Sequence, residues 1–164
     1  MPVTPFHFGP GAAIWSASPK NVSFLSFCAA NVLIDTESLY NMVADRPRIH
    51  TFLHTYIGST LAALGIVAAF LLLVRSARLI PLPDLFGWKA LGTRQVAIGA
   101  LLGAWTHVFV DSIMHADITP FAPMSSSNPT YRVITLGWLH SLCIATAVLG
   151  AAVATLRNRS RPRA

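Results

Sequence analysis

Long apolar stretches, separated by short polar connections, dominate the pattern of hydrophobic and polar positions along the chain. Three of them are nearly continuous in hydrophobic side chains: residues 51–74, 96–111 and 133–156. A helix needs about 20 mostly apolar residues to cross a bilayer, so each stretch predicts a membrane helix, and the second extends to His115 if its polar face is buried. A fourth candidate, residues 21–44, requires that Asp35 and Glu37 be tolerated. The pattern therefore predicts an all-α polytopic membrane protein with about four membrane helices.

The composition supports a membrane protein and argues against an ordinary soluble domain. Hydrophobic residues make up 54% and charged residues only 11% of the 164 positions, whereas soluble domains carry about 25% charged residues. The net charge of +6 comes from clusters at particular places, which argues against a broad nucleic-acid-binding surface. Cys28 and Cys143 lie inside apolar runs and are predicted to be small buried hydrophobes. We expect one helical membrane domain over residues 1–156, followed by a basic tail at 157–164.

The distribution of Lys and Arg predicts the orientation of the helices. Four basic residues flank the connection between 51–74 and 96–111, and four more follow the last apolar stretch. Cytoplasmic segments are enriched in Lys and Arg, so both regions, including the C-terminus, are expected on the cytoplasmic side of a bacterial-type inner membrane. Arg46, Arg48 and Arg132 lie on the opposite side and weaken the contrast.

Ionisable side chains interrupt the apolar stretches, and they fall toward one membrane face if neighbouring helices are antiparallel. The set comprises Asp35, Glu37, His50, His54, His107, Asp111, His115 and His140. At a rise of about 1.5 Å per residue, most of them lie roughly 5 to 15 Å below that face. The arginine-rich face has no histidine and, among the acids, only Asp84. Ionisable groups within a membrane usually pair, line a polar cavity or bind an ion.

The stretch HVFVDSIMH has the most informative spacing. His107, Asp111 and His115 follow one another at intervals of four and so share one face of a helix, and the same spacing places His50 with His54. Histidine and carboxylate together form the usual ligand set for Zn²⁺ and related divalent metals. A metal site competes here with plainer interpretations, namely a buried, hydrogen-bonded His–Asp pair and polar residues at the membrane interface.

Four motifs along the chain, FHFGPG, NVLIDTESLY, HTFLHTY and HVFVDSIMH, resemble those of the YdjM-like family of membrane-bound metal-dependent hydrolases. The resemblance covers roughly residues 5–115, with the motifs in order. It assigns functional positions to His7, to Asp35 with Glu37, to His50 with His54, and to His107 with Asp111. The family often has HRxxTHS at the third motif, whereas this chain keeps both histidines and lacks the arginine. The HxxxD helix is also distantly similar to those of zinc-dependent phospholipases C.

The resemblance and the placement of the residues together suggest roles. The core metal ligands are expected to be Asp35, His54, His107 and Asp111, with His7, His50 and His140 as further ligands. Glu37 is expected to act as general base, because it lies about 200° around a regular helix from Asp35 and both cannot face one ion unless the helix is distorted or two ions bind. His7 reaches the site only if the N-terminal segment folds back, which requires a first segment that is only partly inserted.

The predicted function is metal-assisted hydrolysis of a lipid-borne or amphipathic ester or phosphoester, with one or more divalent ions, Zn²⁺ being the expected one. Membrane lipid is the expected partner. Two alternatives stay open at this point: a metal or proton transporter, and a structural protein stabilised by its metal. The scarcity of ionisable groups in the arginine-rich half argues against a permeation path.

Overall fold

The structure is a computed structural model that describes residues 5–160. Within that range the secondary structure is helical, which confirms the predicted all-α class. The five α-helices are α1 (Phe8–Ala17), α2 (Phe24–Val43), α3 (Tyr56–Ser76), α4 (Thr93–Met114) and α5 (Leu136–Arg159).

Three helices, α3, α4 and α5, are long and apolar enough to cross a membrane. They correspond to the three apolar stretches of the sequence. The fourth candidate, residues 21–44, forms the 20-residue helix α2 but is not among these three. Its polar side chains explain the difference, because Asn31, Asp35 and Ser38 interrupt its apolar character while lying buried against the other helices.

Helices α2 and α4 run parallel and in close contact, because glycines on α4 remove the side chains that would separate them. A Cβ atom at Gly99 would collide with the carbonyl oxygen of Ser23, and one at Gly103 would collide with that of Phe27. Small residues spaced by four allow such close approach between membrane helices. The same register, carried one turn further, sets His107 opposite Asn31, with 3.0 Å between their side chains.

Helix α3 packs antiparallel to α4 around a core of small side chains. The buried members of this core are Ala30, Ile34, Ala62, Ala63, Ala100 and Ala104. Trp105 on α4 donates a hydrogen bond from its Nε1 to Thr60 Oγ1 on α3 at 3.0 Å. The large apolar residues on the other faces of α3 and α5, such as Leu72 and Val148, are exposed, as expected of surfaces that contact lipid.

The first helix is short, and its position allows His7 to join the buried cluster. Helix α1 has ten residues and packs along α5, with Gly9 against the Cys143 carbonyl and Gly150 against the backbone of Ala12. The chain then turns through residues 18–23, where the Ser23 hydroxyl caps α2 by accepting a hydrogen bond from the backbone N–H of Ser26. Helices α1 and α2 thus form a hairpin, and the start of α1 lies at the same depth as Asp35 on α2.

Helix α3 begins at Tyr56, five residues later than the predicted start at residue 51. The prediction that His50 and His54 share one face of a regular helix is therefore wrong. Phe52–His54 form a short 3-10 turn, and the Thr55 hydroxyl caps α3 by accepting a hydrogen bond from the Gly58 backbone N–H at 2.9 Å. His50 precedes this turn, yet its ring still lies 4.7 Å from that of His54, measured between centroids.

Three segments lie at the end of the bundle that is away from the histidines: the turn at residues 18–23, the connection after α3, and the end of α5. Trp15 and Pro19 line one groove with Phe86 and a second groove with residues of α5, including Arg157. The Arg157 guanidinium donates a hydrogen bond to the Ser16 carbonyl. The connection at 79–92 and the C-terminal end of α5 therefore lie at the same end of the bundle.

Candidate metal centre

Five of the six histidines of the chain surround one carboxylate, that of Asp111. Two groups of side chains offer ligand atoms that all lie within 4.8 Å of one another. The inner group consists of Asp35, His54, His107 and Asp111, all of them buried. The outer group consists of His50, Asp111 and His115. Asp111 belongs to both groups.

The spacing of atoms in the inner group fits coordination of a shared ion better than hydrogen bonding. His107 Nε2 lies 3.4 Å from Asp111 Oδ2 and 3.5 Å from Asp35 Oδ1, and His54 Nε2 lies 3.6 Å from Asp111 Oδ2. Zinc bonds of about 2.0–2.2 Å in a tetrahedral site place neighbouring ligand atoms about 3.3 Å apart. Three of the six pairs of ligand atoms in the inner group are therefore spaced nearly as zinc ligands are, and the other pairs lie within 4.8 Å.

The orientation and protonation of His107 are fixed by Asn31 on α2. The Asn31 amide nitrogen donates to the Phe27 carbonyl at 2.8 Å and to the Gly103 carbonyl at 3.4 Å, so its oxygen must face His107. Because that oxygen only accepts, the proton of the neutral ring lies on Nδ1, which donates to it at 3.0 Å. His107 Nε2 then carries a lone pair, and it is buried without a hydrogen-bond partner among the described residues.

Glu37 orients His54 in the same manner. The carboxylate lies 3.3 Å from His54 Nδ1, which donates to it, and so leaves the lone pair on Nε2. Glu37 also accepts hydrogen bonds from the backbone N–H groups of Leu53, at 2.9 Å, and Thr51, at 3.3 Å. Metal-binding histidines usually donate their second ring N–H to a carboxylate or carbonyl group, which sets the tautomer and the ring orientation.

His50 has a carboxylate partner of its own, Asp117, in the connection after α4. His50 Nδ1 lies 3.0 Å from both oxygens of Asp117, and the His50 backbone N–H donates to the same carboxylate at 3.3 Å. Burial is the largest single influence on the pKa of Asp117 and would raise it, but the hydrogen bonds that the carboxylate accepts and the charge of His50 together outweigh burial and lower that pKa. His50, His54 and His107 therefore share one arrangement, in which an oxygen acceptor holds Nδ1 and the lone pair lies on Nε2, and at His54 the Ser38 hydroxyl also lies 3.3 Å from Nε2.

His7 reaches the inner group from the start of α1. Its Nε2 lies 3.0 Å from Asp111 Oδ1, and its ring lies against that of His107 with 4.4 Å between centroids. Asp111 Oδ1 and His7 Nδ1 are both buried without a hydrogen-bond partner among the described residues. The structure thus brings His7 to the cluster, as the family resemblance implies.

His140 and Glu37 stand differently from the other residues singled out by the sequence. His140 is half-buried and belongs to neither group of potential ligands, and its ring stacks on Phe6 at 4.3 Å. Glu37 lies beside the cluster, but its oxygens already accept hydrogen bonds from the 51–54 segment. Its expected role as general base stays a prediction, while its contacts are those of a residue that positions His54.

Four residues that shape the site were not identified from the sequence as part of it: Asn31, Ser38, Asp117 and, as a ligand, His115. Asn31 precedes Asp35 by four in an otherwise apolar stretch, and this spacing was a signal that could have found it. Ser38 Oγ lies 3.3 Å from His54 Nε2. Asp117 lies in a proline-rich connection, and no spacing rule relates it to His50, 67 residues earlier.

Acidification is expected to destabilise the metal-free protein. Burial and the neighbouring His54 lower the pKa of His50, and burial lowers that of His115, from the ordinary value of 6.5. Below that value the unfolded chain binds more protons than the folded one, so the free energy of unfolding falls as the pH falls. Thermal unfolding in detergent with a chelator should show a lower midpoint at about pH 5.5 than at about pH 7.5. A midpoint that is equal or higher at the acidic pH would contradict this environment for the two rings.

No protein-family model, curated protein or solved structure matches the chain. The resemblance to the YdjM-like family therefore stays a prediction that depends on the four motifs.

Proposed function

We propose that the protein is a membrane-embedded, metal-dependent hydrolase that acts on a lipid-borne or amphipathic ester or phosphoester. Asp35, His54, His107 and Asp111 would hold a divalent ion, with Zn²⁺ as the expected metal and His7 beside it. The observation that carries the proposal is that the Nε2 atoms of His54 and His107 converge on two buried carboxylates. An acceptor at Nδ1 of each ring leaves the lone pair on Nε2.

The donor set fits such an ion. Imidazole nitrogen and carboxylate oxygen are ligands that zinc takes in proteins, and the buried atoms His107 Nε2 and Asp111 Oδ1 have no hydrogen-bond partner among the described residues. Leaving a carboxylate uncompensated in so apolar a setting is costly. When bound, the ion would supply Lewis acidity, which polarises a carbonyl or phosphoryl oxygen and acidifies a coordinated water.

The surroundings of the site support a substrate that arrives from the bilayer. Large apolar side chains are exposed on the segments that carry the cluster: Tyr40 and Val43 at the end of α2, Phe52 in the turn, and Ile57 at the start of α3. An apolar surface of this kind suits contact with lipid acyl chains. A substrate with a polar ester or phosphoester group and an apolar tail would match both parts of this region.

For the topology we propose that α2 crosses the membrane with α3, α4 and α5. Leu25, Val32 and Leu39 give α2 an exposed apolar face, and its polar residues face the other helices. The basic end of the bundle, with the 79–92 connection and the end of α5, would then lie in the cytoplasm of a bacterial-type cell. The cluster would lie toward the opposite face.

Substitution of Glu37 separates a base from a positioning residue. If Glu37 is the general base, Glu37→Gln should abolish turnover at full metal occupancy. If Glu37 positions His54, Glu37→Gln should keep most of the turnover and most of the metal occupancy, because the amide oxygen still accepts a hydrogen bond from the Leu53 N–H or from His54. Glu37→Ala should then weaken metal binding by about 10- to 100-fold. We expect the positioning result, measured as metal affinity and turnover of the two variants side by side.

The proposed reaction is tested with purified protein in lipid nanodiscs and a panel of ester and phosphoester lipids. We expect hydrolysis of at least one lipid class that is lost on chelation, restored by added Zn²⁺, and lost in His107→Ala. The His140→Ala protein is the matched control, because His140 lies outside both ligand groups. An inactive wild-type protein with full metal occupancy across a broad panel would refute the hydrolase proposal.

A structural metal ion is the second candidate, and one observation favours it. The inner group already offers four protein ligands, and His54 and His107 are fully buried. Structural zinc sites are closed by four protein ligands, whereas catalytic sites keep a position open. Transport is less well supported, because a permeation path would have to continue from the cluster to the basic end of the bundle. Between the two, α2, α3 and α4 pack closely through the small apolar side chains of Ala30, Ala62 and Ala100.

A further inference from the structure

The outer group of ligand atoms has the composition of a second metal site. The candidate atoms of His50, Asp111 and His115 lie within 4.8 Å of one another, and the rings of the two histidines are 4.3 Å apart between centroids. We propose that these three residues bind a second divalent ion, with Asp111 shared between the two ions. This inference rests on the proposed function, because it extends the same centre from one ion to two.

The outer histidines are held in place before any ion binds. Asp117 accepts the proton of His50 Nδ1, so the lone pair of that ring lies on Nε2. The backbone at His115 is fixed by Asn128, whose side-chain amide donates to the carbonyls of Ser112, at 2.8 Å, and His115, at 3.1 Å. A second carboxylate that orients a ring is the usual companion of a histidine ligand, and nothing in the inner site requires Asp117.

Asp111 is suited to join two ions because it is surrounded on more than one side. Its Oδ2 faces His54 and His107, while its Oδ1 lies 3.0 Å from His7 Nε2 and makes no hydrogen bond among the described residues. A carboxylate has two oxygens and can bind one ion with each. Paired metal ions are common in hydrolytic sites that act on phosphoesters.

The charges of the region also match two ions. Four carboxylates, those of Asp35, Glu37, Asp111 and Asp117, lie among five histidines. Within residues 5–160, every ion-pair contact of these carboxylates is to a histidine and none is to lysine or arginine. Two divalent cations would balance the four carboxylate charges, whereas one cation would balance two of them.

The two ions should differ in affinity. His54 and His107 of the inner group are fully buried, whereas His115 is half-buried and the Asp117 side chain is 38% exposed. The outer group also offers three protein ligands against four in the inner group. The outer ion is therefore expected to exchange with solvent more readily and to be removed first by a chelator.

Metal titration of the complete protein in detergent tests the second ion. Chelator-stripped wild type is titrated with Zn²⁺ by calorimetry, and the metal content is measured after desalting. We expect two equivalents, the weaker with a dissociation constant at least about tenfold higher. His115→Ala should bind one equivalent with unchanged tight affinity, and His140→Ala should bind two. Asp117→Ala, which removes the acceptor of His50 Nδ1, should weaken only the second equivalent, by about 10- to 100-fold.

The possible outcomes separate this inference from the function on which it rests. One tight equivalent in wild type, unchanged in His115→Ala and Asp117→Ala, would overturn the second ion and leave the inner site intact. No uptake by wild type would overturn both. Thermal unfolding of each stripped variant shows whether it folds, and if His115→Ala does not, the effect of Asp117→Ala on the second equivalent decides.

Discussion

Replacing His107 with alanine is expected to reduce the affinity of the inner site for Zn²⁺ by more than about 100-fold, beyond the loss caused by removing a residue that only orients a ligand. His107 is fully buried, contributes Nε2 to the inner group and contacts both Asp35 and Asp111 within 3.5 Å. No other described histidine lies close to both carboxylates in this way. The affinity is measured by competition with a chromophoric chelator.

The control for this substitution is His140→Ala. Both changes remove one imidazole, but His140 stacks on Phe6 and belongs to neither ligand group. Its loss should leave the zinc affinity within about threefold of wild type, a change of less than about 1 kcal/mol. Equal losses of affinity in the two variants would show that the position of His107 between the carboxylates has no special importance.

Adding side-chain atoms at Gly103 is expected to destabilise the protein by about 3 kcal/mol or more and to weaken metal binding at the same time. The Cβ of Gly103→Val would collide with the Phe27 backbone, which cannot move without shifting α2 along or away from α4. Because Asn31 lies one turn beyond Phe27 on α2, the shift would also break its hydrogen bond to His107. Thermal unfolding and zinc affinity are measured on the same preparations.

Gly65→Val is the matched control for this second substitution. Gly65 lies within α3, and nothing lies within 4 Å of where its Cβ would be. The change should therefore be close to neutral, because it removes a poor helix former and meets open space. If both variants unfolded alike and bound zinc alike, the close approach of α2 and α4 would not be what sets the position of His107.

The three helices of spanning length and the pairing of His107 with Asp111 could be predicted from the sequence because both depend on local patterns. Apolar runs of spanning length mark α3, α4 and α5, and a spacing of four places His107 and Asp111 on one face of α4. Counting residues along antiparallel neighbouring helices places Asp35 at the same depth as His107 and Asp111. These inferences need only helical geometry and the cost of placing charge in an apolar environment.

The remaining features depend on contacts between distant residues, which a single sequence does not reveal. Helix α3 starts late because Glu37 binds the backbone of residues 51–53 from another helix. The tautomer of His107 depends on Asn31, 76 residues away, and that of His50 on Asp117, 67 residues away. His7 reaches the cluster because α1 is a short helix that packs beside α5. The hydrophobic pattern of the N-terminal segment does not predict where this helix ends.

The measurement that tests the central claim most directly is the metal content of the wild-type protein, purified in detergent without chelators. Elemental analysis should find at least one equivalent of a divalent metal, with zinc as the expected element, and His107→Ala prepared in parallel should contain much less. Two results together would contradict a metal centre at Asp111. The wild-type protein would contain less than about a tenth of an equivalent of metal, and the stripped protein would take up no Zn²⁺ at micromolar concentration, which detects sites that bind with about −8 kcal/mol or more favourably.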